Sequence, residues 1–139
     1  DRPDCIILCA DTIVALDGEV MGKPKDAADA RRMLRALSGR RHSVLTGVAI
    51  GETNGKRVHF HERTIVEFRE LDDSDIGGYI ASGEPMDKAG AYGIQGFAGA
   101  FVSRVEGCYS NVVGLPLSRV AVSLKNDFGI DAVSFRRDK

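Results

Sequence analysis

Cysteine is scarce in this chain. Cys5, Cys9 and Cys108 are three in number, odd and without C-x-x-C spacing, which excludes a disulfide framework and a cysteine-based zinc module. Cys5 and Cys9 fall in an apolar run and read as packed thiols, which suits a reducing, cytoplasmic setting. Long hydrophobic runs are missing too. None approaches the roughly 20 residues that a membrane-spanning helix requires, and Asp1-Arg2-Pro3-Asp4 has none of the features of a signal peptide. A dominant charge is also lacking: 19 Lys and Arg against 20 Asp and Glu leave a formal charge of -1. That weighs against nucleic acid or an anionic membrane as a partner, while leaving room for a local cationic pocket. Internal repeats, low-complexity tracts and linkers are absent.

What is present is ordinary globular chemistry. The 139 residues, 43% hydrophobic and 28% charged, suffice for one domain with a single core, and residues 1–139 read as one unit. Cys5 to Ala10 is a short continuous apolar run, the pattern of a strand buried on both faces. Asp11 and Thr12 follow at its C-terminal end, where open α/β sheets bind ligands. Ile13 to Met21 reads as a hairpin turning at Asp17-Gly18. Asp26 caps a helix whose apolar positions are Ala27, Ala30, Met33, Leu34 and Leu37, and Gly39 ends it. Arg31, Arg32, Arg35, Arg40 and Arg41 read as its solvated face and the turn that follows.

Ser43 to Gly51 and Arg57 to Leu71 are strands joined through Asn54-Gly55, a strong hairpin signal. His59 and His61 share one face and read as exposed sheet residues rather than the start of a metal site. Asp72 or Asp73 caps a short helix to about Ala81. Gly99 to Glu106 reads as a strand, Leu117 to Phe128 as a helix opened by Pro116, and Ala132 to Phe135 as one further strand. Strands mixed with helices and long hairpins imply an α/β sandwich around a mixed sheet.

Two stretches carry candidate chemistry. Ser82 to Gln95 packs Glu84, Asp87 and Lys88 among Gly83, Gly90 and Gly93. So glycine-rich and charged a loop buries little apolar surface, and it is either a solvated connector or a means of bringing backbone N–H groups and charges to a polar ligand. At the other end of the chain stand Asp11, Thr12 and Lys23. Gly18 to Lys23 is not a P-loop, because its glycines are one residue too close and Pro24 stands where Ser or Thr is needed. Gly90, Gly93 and Gly96 likewise miss the dinucleotide fingerprint. No Ser-His-Asp triad or zinc site is visible, so a general base would be a carboxylate. Asp11 is the best placed: it can orient water or hold a divalent cation, or it merely caps the turn. Lys23 and Lys88 can neutralise a polyphosphate, Glu84 and Asp87 can share a metal or a water, and the Gln95 amide can read a base edge.

The motifs A-D-T-I-V at 10–14, G-K-P at 22–24, L-S-G-R at 37–40, H-S-V-x-T-G-V at 42–48, S-G-E-P-x-D-K-A-G-x-Y-G-I-Q-G at 82–96 and Y-x-N-V-V-G-L-P at 109–116 resemble the Maf family of nucleoside triphosphate pyrophosphatases. The resemblance runs from about Asp4 to Leu124, and the motif at 82–96 is the most specific. It implies a three-layer α/β/α sandwich around an elongated mixed sheet with a cleft, a fold of the inosine-triphosphatase kind, and often a homodimer. It implies cleavage between the α- and β-phosphates with a divalent cation, Mg²⁺ or Mn²⁺. Asp11 matches the proton acceptor, Lys23 a phosphate-contacting lysine, and Thr12 with Gln95 the positions that set base specificity. The Thr/Gln pair resembles the branch acting on dTTP and UTP, and by extension on modified pyrimidine analogues, rather than on 7-methyl-GTP.

One departure stands out. The family's first strand and its Ser-x-Ser-Pro-Arg-Arg-x-Glu-Leu-Leu-like segment are not in this sequence. The expectation is therefore an N-terminally truncated Maf-like domain that turns over nucleotides poorly by itself. An alternative from another class is a nucleotide-binding regulator of cell division and septum formation that cleaves nothing.

Overall fold

A computed structural model describes residues 5–134. Five strands, β1 (Ile6–Leu16), β2 (Glu19–Met21), β3 (Arg41–Glu52), β4 (Arg57–Phe68) and β5 (Val102–Glu106), form one sheet in the order β2-β1-β3-β4-β5. Four helices accompany it: α1 (Ala27–Leu37), α2 (Asp73–Ala81), the single turn α3 (Tyr109–Val113) and α4 (Leu117–Phe128).

Local chemistry accounts for most boundaries. Asp17 and Gly18 take φ of 53° and 81°, the left-handed pair that a tight two-residue hairpin demands, and the turn aligns Val14 with Met21. Asp26 caps α1 by accepting from the Asp29 backbone N–H at 2.8 Å, and Gly39 follows the helix at φ 67°. Asp72 does the same for α2, and Asp75 returns the bond to the Asp72 N–H at 3.0 Å. The arginines of the first helix and its turn are solvated partners: Arg32 bonds Asp29, Arg35 Asp73, Arg40 Asp17 and Arg41 Glu106. Exposed pairs of this kind add little stability.

Along β3, His42, Val44, Thr46, Val48 and Ile50 are buried in strict alternation, so one face of the strand carries the core. α1, α2 and the 82–101 segment cover the half around Val14, Val44, Val66 and Phe68. Val120 of α4 covers Val48 and Ile50. Both groups press on the same face. The opposite face, with Cys9, Asp11, Gly47, Ala49, His59 and His61, is exposed.

The α/β class expected from the sequence stands, with two differences. Every strand pairing among the described residues is antiparallel rather than mixed: hairpins join β1 to β2 and β3 to β4, and the connection through α1 carries the chain across β1 so that β3 pairs with its other edge. A second helical layer is also not found among the described residues. For the same reason the Cys5–Ala10 run is not buried on both sides: Ile7 and Leu8 are 56% and 43% exposed, and among the described residues β1 from Ile6 to Ile13 pairs only with β3. The strand expected over 99–106 begins at Val102, after a 3-10 turn at Phe97–Phe101. Ala132 to Ser134 form a turn rather than a strand, and Phe135 lies outside the described residues.

His42 packs edge-on against Phe68 and Tyr92, with ring centroids 5.2 and 5.4 Å away, and its Nε2 lies 2.6 Å from the Tyr92 hydroxyl. Burial pushes the imidazole down to about 4 from an ordinary 6.5. Above pH 6.5 both folded and unfolded chains carry it neutral. Between 6.5 and 4 the unfolded chain binds the proton and the folded chain does not, so stability falls as pH falls through that window and levels off below it. The loss amounts to about 3 kcal/mol at the acid end. Urea midpoints between pH 7.5 and 4 for the wild type and His42→Phe check this: the variant should show a flatter slope, and parallel slopes would exclude His42 as the source.

Candidate active site

A cleft of about 330 Å³ opens at the junction of β1, β3 and the 88–96 loop. Thr12, Lys23, Lys88 and Gln95 all line it, so residues 83 positions apart in the chain meet at one site. Val14, Val44, Tyr92, Ile94, Val112 and Val113 supply apolar walls, the kind of surface on which a planar ring rests.

β1 carries Thr12 into the cleft. Because Val14 pairs with Met21, the chain leaving β2 through Gly22 runs back along the β1 edge and brings Lys23 beside Thr12. The Gly90 N–H donates to the Gly22 carbonyl at 3.1 Å, which ties the 88–96 loop to that segment. Two short 3-10 turns, Glu84–Asp87 and Ala89–Ala91, shape the loop. Contrary to the sequence reading, it is part of the core: Pro85, Gly90, Ala91, Tyr92 and Ile94 are buried. Gln95 is exposed and Lys88 half-buried, and both line the cleft.

Close approach explains two of its glycines. A Cβ on Gly93 would sit 2.7 Å from Lys88 Cε, and one on Gly90 would sit 2.9 Å from Val14 Cγ1.

The charged groups divide into two sets. Lys88 Nζ donates to the Asp87 carboxylate at 3.0 Å and to the Glu84 carbonyl at 3.2 Å. The Lys88 hydrogen bond first, and more weakly the field of Lys23, hold the Asp87 carboxyl below its usual range. Glu84 spends its carboxylate on the Phe97 backbone N–H, at 3.1 and 3.3 Å, and braces the turn after Gln95 instead of lining the cleft. Burial, followed by smaller effects that include the fields of Glu84 and Asp87, pushes the Tyr79 phenol up, and its oxygen accepts from the Gly93 N–H at 3.1 Å.

Asp11 lies elsewhere. Strand alternation turns it to the uncovered face, opposite Gly47, in a shallow depression shared with Cys9, His59 and His61. No group of three or more His, Cys, Asp or Glu side chains suited to a metal ion occurs among the described residues. Asp11, Glu84 and Asp87 are not brought together.

Sequence reasoning passed over a buried polar strip behind the cleft. Thr46 and Asn111 are fully buried. The Asn111 Nδ2 donates to the Val44 and Glu62 carbonyls and to Thr64 Oγ1, at 3.2, 3.1 and 3.1 Å. Thr46 donates to the Asn111 carbonyl at 3.2 Å and lies 2.8 Å from Thr12 Oγ1. These bonds pin α3, which carries Val112 and Val113, across β3 and β4. A threonine in register with Val44 and Val48 on an otherwise apolar face was the available signal.

The sequence profile described as Maf-like protein matches residues 1–127. Among curated relatives, the dTTP/UTP pyrophosphatase of Pelotomaculum thermopropionicum is 50% identical over 131 residues, covering 94% of this chain and 68% of the relative. The protein of the same name from Anaeromyxobacter dehalogenans strain 2CP-C is 55% identical over 126 residues, covering 88% and 65%. That from Shewanella denitrificans is 59% identical over 112 residues, covering 80% and 56%. The chain thus spans about two thirds or less of the length of these relatives. With a profile match over residues 1–127 and identities of 50–59%, the chain belongs to the Maf family of Maf-like proteins.

Proposed function

We propose that this protein hydrolyses dTTP and UTP, and modified pyrimidine analogues of them, to the nucleoside monophosphate and pyrophosphate. The observation that carries this reading is the cleft itself: two lysines, an amide and a hydroxyl line one space together with apolar walls. The relatives' names point the same way. The base lies between the Val112–Val113 wall and Ile94, with Thr12 and Gln95 at its polar edge. Lys23 and Lys88 meet the phosphates, and an incoming triphosphate displaces Asp87 from Lys88.

A triphosphate extending from the cleft past Lys23 reaches the face that Asp11 occupies. There Asp11 takes a proton from a water attacking the α-phosphorus, as the bond to the bridging oxygen breaks and pyrophosphate leaves. The carboxylates among the described residues do not build a cage of their own, and the donor chemistry suits a Mg²⁺ or Mn²⁺ shared with the phosphates, for which Asp11 would supply a carboxylate ligand. Bound there, the cation neutralises phosphate charge. The setting is cytoplasmic, in keeping with free Cys5, Cys9 and Cys108; no helix among the described residues is long and apolar enough to cross a membrane. A homodimer completes the proposal.

One observation favours a second reading: Asp11 points away from Thr12 and the cleft. A cleft without its carboxylate binds nucleotide and cleaves nothing. Pyrophosphate release from dTTP, UTP, CTP, GTP and 7-methyl-GTP, with Mg²⁺ and with Mn²⁺, separates the two. Release from dTTP and UTP ahead of the others is expected. Calorimetric binding of those two nucleotides without product would establish the binding-only reading.

A further inference from the structure

Thr46 has no access to solvent, yet its hydroxyl touches that of Thr12, which lines the cleft. Thr46 Oγ1 lies 2.8 Å from Thr12 Oγ1, an ordinary O–H···O bond, and 3.2 Å from the Asn111 carbonyl. Thr12's other neighbour, the Gly114 carbonyl, is 3.5 Å away, at the limit of a hydrogen bond. A threonine hydroxyl has one hydrogen to give and two lone pairs to offer, whereas a carbonyl only accepts. One orientation uses both short contacts: Thr12 donates to Thr46, and Thr46 donates to the Asn111 carbonyl. In the reverse orientation Thr12's hydrogen has only the 3.5 Å contact and the buried carbonyl loses Thr46 as a donor. The acceptor end is anchored, since Asn111 is itself tied to β3 and β4 by three side-chain bonds.

We propose that Thr46 is a specificity-determining residue that acts through Thr12. By taking Thr12's hydrogen it leaves Thr12 facing the cleft with lone pairs only, so the site selects a base presenting a ring N–H and rejects one presenting a bare ring nitrogen. Uracil and thymine carry a hydrogen at N3; cytosine does not. Gln95 cannot enforce this alone, because it is exposed and its amide can turn either its oxygen or its NH₂ to the base. The inference rests on the reading of the cleft as a dTTP/UTP site and supplies the physical basis of its preference over CTP.

The test is kcat and KM for UTP and CTP in the wild type, Thr46→Val and Thr46→Ser, with a thermal melt confirming each fold. Thr46→Val keeps the shape and deletes the hydroxyl, which frees Thr12 to turn its hydrogen towards the cleft and meet a bare N3. The UTP:CTP ratio of kcat/KM is expected to fall roughly five- to tenfold, mainly through KM, and Thr46→Ser to restore it. A purely structural role would lower activity on both substrates together. If Thr46→Val does not fold, Thr46→Cys, with a weak acceptor in the same volume, takes its place. An unchanged ratio in the folded variant, beside a wild type that prefers UTP, overturns the hydroxyl chain alone. A folded wild type that does not prefer UTP to CTP overturns the dTTP/UTP reading beneath it. For a protein that binds without cleaving, the same comparison is made on the dissociation constants of UMP and CMP.

Discussion

Asp11→Asn is expected to fold as the wild type does, to bind UTP in the cleft, and to lose turnover by about two to four orders of magnitude. The change is nearly isosteric at an exposed position in the middle of β1, so β1 keeps its ladder to β3. The cleft keeps Thr12, Lys23, Lys88 and Gln95, so affinity survives. What disappears is the carboxylate proposed to accept the proton of the attacking water, and an amide cannot replace it. Steady-state pyrophosphate release together with calorimetric UTP binding makes the measurement. Wild-type turnover in the variant would remove Asp11 from the chemistry and, with it, the proposed placement of the phosphates on the face that Asp11 occupies. Loss of binding as well as turnover would mean that Asp11 serves the ground state, through the cation or the phosphates.

Gly90→Ala is expected to be the most damaging single-atom addition near the cleft. Gly90 has φ +71°, and an added Cβ would lie 2.9 Å from Val14 Cγ1 and 3.0 Å from Val14 Cβ. The left-handed backbone costs an alanine about 1–2 kcal/mol, and overpacking a well-filled core adds about 1–3 kcal/mol. Gly83 isolates the first contribution, because at φ +79° an added Cβ would meet nothing within 4 Å. Urea denaturation should therefore show Gly90→Ala losing roughly 2–5 kcal/mol and Gly83→Ala only about 1–2. In the double variant Gly90→Ala/Val14→Ala the contacts at 2.9 and 3.1 Å with the two Val14 methyls disappear and the one at 3.0 Å with Val14 Cβ stays, so the two effects should be less than additive. Strict additivity would mean that Val14 is not the obstacle. Because Val14 also floors the cleft, Gly90→Ala should weaken nucleotide binding even below its unfolding temperature.

Sequence reading succeeded where the chemistry is local. Asp17-Gly18, Asp26, Asp72 and Asn54-Gly55 act within a few residues of themselves, and each turn or cap stands where it is expected. Thr12, Lys23, Lys88 and Gln95 were legible as a group only through the family motifs, since nothing local joins Lys23 to Gln95. What stayed hidden depends on neighbours far along the chain. Gly90, Tyr92 and Ile94 look like parts of a solvated loop until Val14 and the Phe68–His42 aromatic group are set against them. The burial of β1 was overestimated because an apolar run says nothing about which faces and edges find partners. Asp11 and Thr12, adjacent in sequence, fall on opposite faces of the sheet, a plain outcome of strand alternation that their functional grouping obscured.

The strand order β2-β1-β3-β4-β5 has a kinetic consequence. Each strand docks on an edge that the preceding chain has already made, and none must be inserted between two that are paired. The sheet can therefore grow outward strand by strand, and its first closures are short and fast loop searches. The cleft cannot, because its later walls, Gly93–Gly96 and Val112–Val113, come from the chain beyond β4. On this pathway a solid sheet precedes any nucleotide affinity, and a ligand present during refolding joins a process in which most of the rate-limiting work is already complete.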